Sequence, residues 1–408
     1  MAKSGSITTN QKEGRSVTLS WTLSNQDIAN NTSTIAWTLK GSGSGSGWVM
    51  AGGFNATING ATVYSTSTDT RIKLYNGTTI ASGSLKISHN SDGSKSFSLS
   101  CQAGVYTYAV SVTASGTHTL DTIPRASSVS TSNTTLGSAT TIAISRASSS
   151  FTHTLTYTFG GTSGTISTKT ALTSVSWTPA ISLANQIPKA VSGTCTITCD
   201  TYNGSTKIGT KTCTLTLTVP STVKPTMTSV TATRVDGDVP SDWAIYVQSK
   251  SKATVTINGA AGAYGSTISS YSITGGGYSS TASSFTTGFL TSSGTITFTA
   301  KVTDSRGRVS DEKTVSITVV AYSAPSFTSY LSQRATSAGV VNDDGTYIRG
   351  LILYSYASCS SKNTVTRATY YKKSSTTTWT NANESFSSGT AFTFGGGAIS
   401  TESSYDVK

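Results

Sequence analysis

Apolar residues recur at every second position in many short segments of the chain, and Ser or Thr fills most positions between them. In SVTLSWTLSN (residues 16–25), Val17, Leu19, Trp21 and Leu23 alternate with polar residues. A period of two places alternate side chains on opposite faces of a strand, so each segment predicts a strand with one buried and one solvated face. The pattern recurs in STIAWTLK (33–40), SFSLSC (96–101), FTHTLTYTF (151–159), KTCTLTLTV (211–219) and GTITFTAKV (294–302).

Turn signals separate these segments. Asn-Gly pairs at 59–60, 76–77, 203–204 and 258–259, and Asp-Gly at 92–93, supply the positive φ angles that tight hairpins need. Six to nine short strands in about 120 residues predict a β-sandwich of jelly-roll size at the start of the chain. No segment shows a persuasive helical period, so we expect an all-β protein.

A hundred-residue repeat follows this first sandwich. PTMTSVTATR at 225–234 returns as PSFTSYLSQR at 325–334, and Pro124, Pro225 and Pro325 each follow a predicted strand. Proline stiffens its own φ and favours extended geometry in the residue before it, which suits a joint between domains. We predict an N-terminal jelly-roll-like sandwich (1–121) and three immunoglobulin/fibronectin-III-like sandwiches (122–220, 221–321 and 322–408).

The last of these domains is expected to be incomplete at its C-terminus. The closing strands of the third domain are predicted at 294–304 and 313–320, and adding 100 places their counterparts near 394–404 and 413–420. The printed sequence stops at Lys408. We therefore expect the natural protein to continue past that residue.

The composition is polar but weakly charged. Only 11% of residues are charged, and 29 basic against 17 acidic residues give a net charge of +12. Two interpretations stay open: the excess is spread thinly over several domains, or it attracts an anionic polymer such as a cell-wall phosphate polymer. No run of Lys and Arg has the density of a nucleic-acid interface, so nucleic acid is not an expected partner.

The cysteines and the N-terminus indicate where the protein folds. Cys101, Cys195, Cys199, Cys213 and Cys359 form no small-domain disulfide framework, and we expect buried free thiols. The start MAKSGSITTN has no apolar signal core, and no run of 18 apolar residues predicts membrane insertion. Synthesis in a reducing cytoplasm, without a signal peptide, is the expectation.

Catalytic and metal-binding patterns are scarce. His89, His118 and His153 lack the spacing of a zinc site, and Asp92 and the Asp343-Asp344 pair fit turns better than calcium loops. We expect no cofactor, no metal and no enzyme activity. A glycosidase needs only two carboxylates, and spacing alone leaves that alternative open.

Exposed aromatic rings on a sandwich are the remaining candidates for a binding site. Trp48, Phe54 and Tyr64 lie around the loop GSGSGSG (41–47) and could stack on sugar rings. The alternative is that these rings close the core of the first domain.

Several short motifs together resemble a known family. These are HNSDGSK (89–95) followed by TIPRAS (122–127), VTDSRGRVS (302–310) followed by VSITVVAYSAP (315–325), and NDDGTY (342–347) followed by YKKSSTTTW (371–379). They are similar to minor tail proteins of siphophages infecting Gram-positive bacteria, which carry immunoglobulin-like repeats. The resemblance implies a virion tail or fibre component near the host-recognition apparatus, and it implies no functional residues.

A row of sandwiches with proline joints is suited to displaying something away from a larger body. We therefore expect a tail-fibre or tail-tip protein in the virion that contributes to host attachment. A purely architectural tail or baseplate protein and a bacterial surface adhesin are the alternatives, although an adhesin should carry a signal peptide. The expected partners are other phage tail proteins, further copies of this chain, and host cell-wall polysaccharide or an anionic wall polymer.

Overall fold

The alternating segments form strands throughout the residues that the computed structural model describes, which are 3–12, 14–43, 48–51, 53–67, 70–73, 77–105 and 110–408. Helical structure within these ranges is limited to two short 3-10 segments, Ile181–Gln186 and Ser241–Trp243. None of the helices described there is long and apolar enough to span a bilayer. The chain divides into two compact bodies, residues 1–220 and 221–408.

The first body begins with a sandwich of two four-stranded sheets, ordered β1-β2-β3-β8 and β10-β9-β5-β6, with β4 paired to β7 beside them. Its strands are β1 (Ser4–Thr8), β2 (Arg15–Asp27), β3 (Thr32–Gly43), β4 (Trp48–Ala51), β5 (Phe54–Ile58), β6 (Ala61–Ser65), β7 (Thr70–Lys73), β8 (Thr79–Ser88), β9 (Ser96–Val105) and β10 (Val110–Thr119).

The core of this sandwich contains the side chains that the period of two places inward. Val17, Leu19 and Trp21 of β2 are buried, and Trp21 meets Phe97 of the opposite sheet edge to face with ring centroids 5.1 Å apart. The hairpin between β5 and β6 turns at Asn59 and Gly60, whose φ angles are 52° and 79°. Two positive φ angles in succession are what the Asn-Gly pair predicted there.

A second sandwich completes the first body, with sheets ordered β11-β13-β16 and β12-β18-β17-β14-β15. Its strands are β11 (Ser128–Thr131), β12 (Thr134–Thr135), β13 (Thr140–Ser145), β14 (Phe151–Phe159), β15 (Thr162–Thr170), β16 (Ser174–Trp177), β17 (Ser192–Asn203) and β18 (Thr206–Thr218).

The second body begins with a sandwich of the same design, with sheets ordered β19-β21-β24 and β20-β26-β25-β22-β23. In both sandwiches a two-residue strand pairs in parallel with the last strand, as β12 does with β18 and β20 with β26. The strands are β19 (Ser229–Val235), β20 (Tyr246–Val247), β21 (Lys252–Asn258), β22 (Ile268–Gly275), β23 (Tyr278–Ser280), β24 (Ser284–Thr286), β25 (Gly294–Asp304) and β26 (Lys313–Val320).

The last unit has two three-stranded sheets, ordered β27-β28-β31 and β30-β29-β32. Its strands are β27 (Ser326–Ala335), β28 (Tyr347–Ser355), β29 (Tyr370–Lys373), β30 (Thr380–Asn381), β31 (Phe392–Phe394) and β32 (Tyr405–Val407). The predicted all-β class, a first sandwich followed by tandem immunoglobulin-like sandwiches, is therefore confirmed. The three domain boundaries drawn from the prolines stay a prediction.

The HNSDG turn (residues 89–93) of the first sandwich binds Ile123, the residue before Pro124. The carbonyl of Gly93 accepts hydrogen bonds from the Ile123 amide (2.9 Å) and from Nδ1 of buried His89 (2.7 Å). Nδ1 therefore donates to that carbonyl, and Nε2 lies 2.8 Å from the Ser33 hydroxyl. Gly93 has a φ of +84°, and a Cβ there would lie 1.9 Å from the Ile123 oxygen, so this position requires glycine.

Arg125 joins the two sandwiches of the first body. Its Nη1 donates to the carbonyl of Ile28 and its Nη2 to the carbonyl of Ile208, both at 2.7 Å. Two residues later the amide of Ser127 donates to the hydroxyl of Thr201 at 3.0 Å. The planar guanidinium thus links one carbonyl from each sandwich, which restricts bending at the proline joint.

The second body uses other contacts around its joints. Val223 and Lys224 precede Pro225 and bind the third sandwich, since Arg308 donates to the Val223 carbonyl (2.9 Å) and Lys224 pairs with Asp311 (2.7 Å). Near Pro325 an apolar cluster joins side chains of the third repeat to side chains of the fourth. Its members are Val239, Trp243, Ile245, Val247, Val320, Tyr322, Ala357 and Cys359.

The Arg125 contact predicts how the first body responds to trypsin. Arg125→Lys keeps a positive charge and a cleavage site, but an ammonium cannot span both carbonyls as the guanidinium does. A lost hydrogen bond to a charged group costs about 1.5–3 kcal/mol, so the joint should open more often. We expect faster cleavage after residue 125, measured by mass spectrometry of fragments 1–125 and 126–408.

Arg146→Lys is the control, because Arg146 donates to a single carbonyl, that of Ala171, on an exposed surface. Its fragments should appear at the wild-type rate. Equal cleavage after residue 125 in the wild type and in Arg125→Lys would contradict the bridging role of this guanidinium.

Candidate functional site

Two of the three rings proposed as sugar contacts, those of Phe54 and Tyr64, are packed against the core of the first sandwich. Phe54 is 2% exposed and packs in the core of the first sandwich. Tyr64 is half-buried against the same core, meets Phe54 edge to face at 6.4 Å, and has its pKa raised by that burial. The alternative that these rings close the core therefore describes Phe54 and Tyr64. The side chain of Trp48 and residues 44–47 of the GSGSGSG segment lie outside the described residues.

His153 and His118 are packed against neighbouring side chains. His153 is buried, its Nε2 lies 2.9 Å from the Ser127 hydroxyl beside the first joint, and desolvation lowers its pKa. His118 packs against the rings of Trp21 and Phe97, with centroids 5.8 and 6.1 Å away. Within the described ranges, no group of three or more His, Cys, Asp and Glu side chains is placed to hold a metal ion.

The acidic turns bind their own backbone. Oδ1 of Asp92 accepts from the Ser94 hydroxyl (2.7 Å) and amide (2.9 Å), and these bonds lower its pKa. The Asp344 amide donates to Oδ1 of Asn342 at 2.9 Å. Both arrangements are side-chain turns of the kind that Asp and Asn favour, so turn chemistry accounts for these residues.

All five cysteines carry free thiols. Burial raises the pKa of Cys101, Cys195 and Cys199 to about 11, and Cys213 is half-buried. A thiol is nucleophilic only as the thiolate, so these groups behave as small core residues and not as reactive centres.

A groove of about 640 Å³ in the last unit is one candidate binding site. One wall is β27 with the end of β28, and the other is formed by residues 365–369 and the end of β32. Ile352 and Phe386 are buried at its floor, while Phe327 and Tyr330 of β27 stand at its wall. The groove is mainly apolar, as ligand-binding clefts usually are.

Arg367 is the charged group that organises this groove. Its guanidinium lies 5.9 Å from the Tyr354 ring and 5.8 Å from the Phe386 ring, and it donates to the Tyr354 hydroxyl. The residues lining the groove include no Asp, Glu, His or Cys. Such a lining can bind a ligand through apolar contact, stacking and hydroxyl groups.

The hundred-residue repeat shows why this groove is unusual. Met227 and Val230 of the third repeat are 5% and 8% exposed, whereas Phe327 and Tyr330, at the corresponding positions, are 78% and 41% exposed. The repeat alone did not reveal this site, because residues 225–234 and 325–334 are predicted to be equivalent strands. The available signal was the larger, aromatic character of positions 327 and 330.

A second groove, of about 470 Å³, lies beside Arg334 and Glu402. Arg334 donates there to the carbonyls of Gly345 (3.2 Å), Ser400 (2.7 Å) and Ser403. These bonds attach the backbone of residues 400–403 to β27, so the Arg334 guanidinium has a structural role.

Thiol labelling tests the burial of the cysteines. At pH 8 a thiol of pKa about 11 is ionised in roughly one molecule in a thousand, and burial also blocks access. We expect iodoacetamide to modify half-buried Cys213 first and to leave Cys101, Cys195 and Cys199 unlabelled until denaturant is added, as read by peptide mass spectrometry. Labelling of Cys101 in the folded protein as fast as Cys213 would contradict this placement.

Solved structures of tandem β-sandwich proteins are similar to this chain. They include fibronectin(III)-like modules of Clostridium thermocellum CbhA (16% identity, 47% of this chain and 94% of that one, TM-score 0.20). The FN1–FN3 domains of chicken CNTN1 match at 9% identity over 73% of this chain and 97% of that one (TM-score 0.22). Three N-terminal domains of the bacteriophage RB49 highly immunogenic outer capsid protein (Hoc) match at 13% identity over 65% and 82% (TM-score 0.21).

A comparison with curated protein sequences finds no match. A family model described as "Siphovirus protein of unknown function (DUF859)" matches residues 5–407. That match confirms the resemblance to siphophage proteins at the level of the family. Since it spans nearly the whole chain, this protein belongs to the siphovirus family DUF859.

Proposed function

We propose that this chain is a non-enzymatic component of the siphophage tail, a tail-fibre or tail-tip protein that projects from the tail and contributes to attachment to the host cell surface. The observation that carries the proposal is a succession of β-sandwiches in a member of a siphovirus family. Such sandwiches present loops and grooves on a stable framework without needing a catalytic centre.

The absence of enzyme activity is part of the proposal. The histidines with described contacts are packed in cores or joints, the thiols of pKa about 11 are buried, and the lining of the larger groove contains no Asp, Glu, His or Cys. Histidine, carboxylate and thiol groups are among the commonest catalytic acids, bases and nucleophiles. Binding is therefore the function that these surfaces support best.

The charge of the chain favours an anionic or polar partner on the cell surface. The chain has 29 Lys and Arg against 17 Asp and Glu, so pairing every acidic side chain with a basic one would still leave 12 positive charges. The remaining positive charge attracts an anionic polymer such as a wall phosphate polymer, with wall polysaccharide as the uncharged counterpart.

A purely architectural tail role is the second candidate, and the Arg125 contact favours it. A guanidinium that links two sandwiches restricts bending whether or not the protein binds a receptor. The two candidates differ in whether the isolated chain binds cells.

Electron microscopy and an adsorption assay test the proposal together. We expect labelled antibodies against residues 1–408 to decorate the tails of purified particles, and excess purified chain to reduce phage adsorption by occupying receptors. Decorated tails without competition would favour the architectural role. Labelling elsewhere on the particle would contradict a tail location.

Salt dependence tests the contribution of charge. The electrostatic screening length falls from about 10 Å at 0.1 M to about 3 Å at 1 M ionic strength. Binding of the chain to host walls should therefore weaken as salt rises. Sucrose at matched osmolarity is the control and should leave binding unchanged. Salt-independent binding would contradict charge-assisted attachment, and release of reducing sugar ends from the walls would contradict the non-enzymatic role.

A further inference from the structure

The positive charge of the chain is concentrated in one sandwich. Residues 122–220 contain six Lys or Arg side chains and a single acidic one, Asp200, which gives a net charge of +5. The ranges 1–121, 221–321 and 322–408 have 8 basic against 5 acidic residues, 8 against 6 and 7 against 5, which leaves +3, +2 and +2. About a quarter of the chain therefore carries close to half of its net charge of +12.

Part of this charge lies on the outer face of the five-stranded sheet in the second sandwich. In β17 the residues Cys199 and Thr201 are buried, so the period of two places Asp200 and Tyr202 on the opposite, outer face. Lys207 of β18 lies directly opposite Tyr202 in the antiparallel register. Directly opposite residues share a face, so Lys207 also belongs to the outer face.

Lys169 reaches the same place from β15. Its Nζ lies 3.1 Å from the centroid of the Tyr202 ring. Oδ1 of Asp200 lies 2.7 Å from Nζ of Lys207 and accepts from the Thr210 hydroxyl at 2.7 Å. Asp200 is thus bound by two donors, whereas Lys169 lies against a ring. This basic patch (Lys169, Tyr202 and Lys207) has more positive than negative charge.

Threonine hydroxyls continue the face away from the basic patch. Two rows run across the four strands β15, β14, β17 and β18: Thr165–Thr156–Thr198–Thr212 and Ser163–Thr158–Thr196–Thr214. Strand geometry places neighbouring members about 5 Å apart within a row, and the two rows about 7 Å apart. A polymer that carries both hydroxyl and phosphate groups would meet hydroxyl groups along these rows and ammonium groups at the basic patch.

The equivalent sheet of the third repeat differs in charge and resembles this one in its hydroxyl groups. Thr297 of β25 lies opposite Ser316 of β26, and their hydroxyls are 2.8 Å apart. Lys301, on the same face of β25, pairs with Glu312 at 3.2 Å, and that pair is neutral as a whole. Charge therefore distinguishes the second sandwich from the third, and hydroxyl content does not.

We infer that the outer face of β15, β14, β17 and β18 binds a phosphodiester-linked polymer of the host wall, with phosphate groups at Lys169 and Lys207 and polymer hydroxyls along the threonine rows. An ammonium group has three N–H donors, so Lys207 can bind a phosphate while it keeps Asp200. This inference rests on the proposed function and assigns a site to it.

Two double variants of equal net charge separate this face from the overall charge. Lys169→Gln with Lys207→Gln removes the two cations of the basic patch, and Lys250→Gln with Lys301→Gln removes two ion-paired cations of the third sandwich. Each pair lowers the net charge from +12 to +10. In an anisotropy titration with fluorescent poly(glycerol phosphate), the first variant should bind at least about threefold more weakly, since two surface ion pairs are lost. The control should stay close to the wild type, and circular dichroism should be unchanged in both.

The outcomes distinguish the site from the proposed function. Equal weakening in both double variants would overturn this site and leave charge-assisted attachment in place. Binding of the wild type to intact host walls without affinity for poly(glycerol phosphate) would also overturn the site alone. No binding of the wild type to either would contradict the proposed function as well. Tighter binding to a single-stranded DNA of equal charge would overturn the assignment to a wall polymer.

Lysine acetylation locates the bound polymer without substitutions. With saturating poly(glycerol phosphate), we expect acetylation of Lys169 and Lys207 by an N-hydroxysuccinimide ester to slow, as read by peptide mass spectrometry. Lys250 and Lys301 are the internal controls and should react at the rate of the free protein. Equal protection of Lys301 and Lys169 would overturn the placement of the polymer on the second sandwich.

Discussion

The pairing of two sheets across a shared apolar face is the interaction on which the rest of this structure depends. Each strand carries apolar residues on one side only, so a single sheet would leave that side in water. In the first sandwich the second sheet covers that apolar side, and Trp21 of one sheet packs against Phe97 of the other. With 11% charged residues, the chain relies on this burial and on hydroxyl-rich outer faces far more than on ion pairs.

The same constraint explains why joints between sandwiches need their own contacts. A sandwich that has buried both apolar faces has little apolar surface left for its neighbour, so a joint must use either polar groups or a separate cluster. Arg125 illustrates the first case, because it binds carbonyls of Ile28 and Ile208. The cluster around Val247 and Cys359 illustrates the second. Proline sets the direction of the chain at each joint, and these contacts decide how much it bends.

The groove in the last unit is one place in the described chain where large apolar side chains stay exposed. β27 has the sequence of a first strand, but Phe327 and Tyr330 face solvent across a cleft. An exposed apolar patch on a chain rich in Ser and Thr favours association, because covering it removes apolar area from water. The proposed tail role follows from the family and the succession of sandwiches.

The sequence by itself determined the strands, their inward faces and the repeat. Period two at Val17, Leu19 and Trp21, Asn-Gly at 59–60 and proline every hundred residues are local or periodic signals, and local backbone preferences are enough to read them. Glycan contact at Phe54 and Tyr64 shows the limit, because period two says which side of a strand a ring takes but not whether another sheet covers that side. Likewise, the aromatic character of Tyr330 sets it apart from Val230 but does not show that its ring is uncovered, and nothing local shows that Arg125 reaches residues 97 and 83 positions away. Only the tertiary structure decided these points, since burial and long-range hydrogen bonds depend on what packs opposite a residue, and that is set by segments far away in the chain.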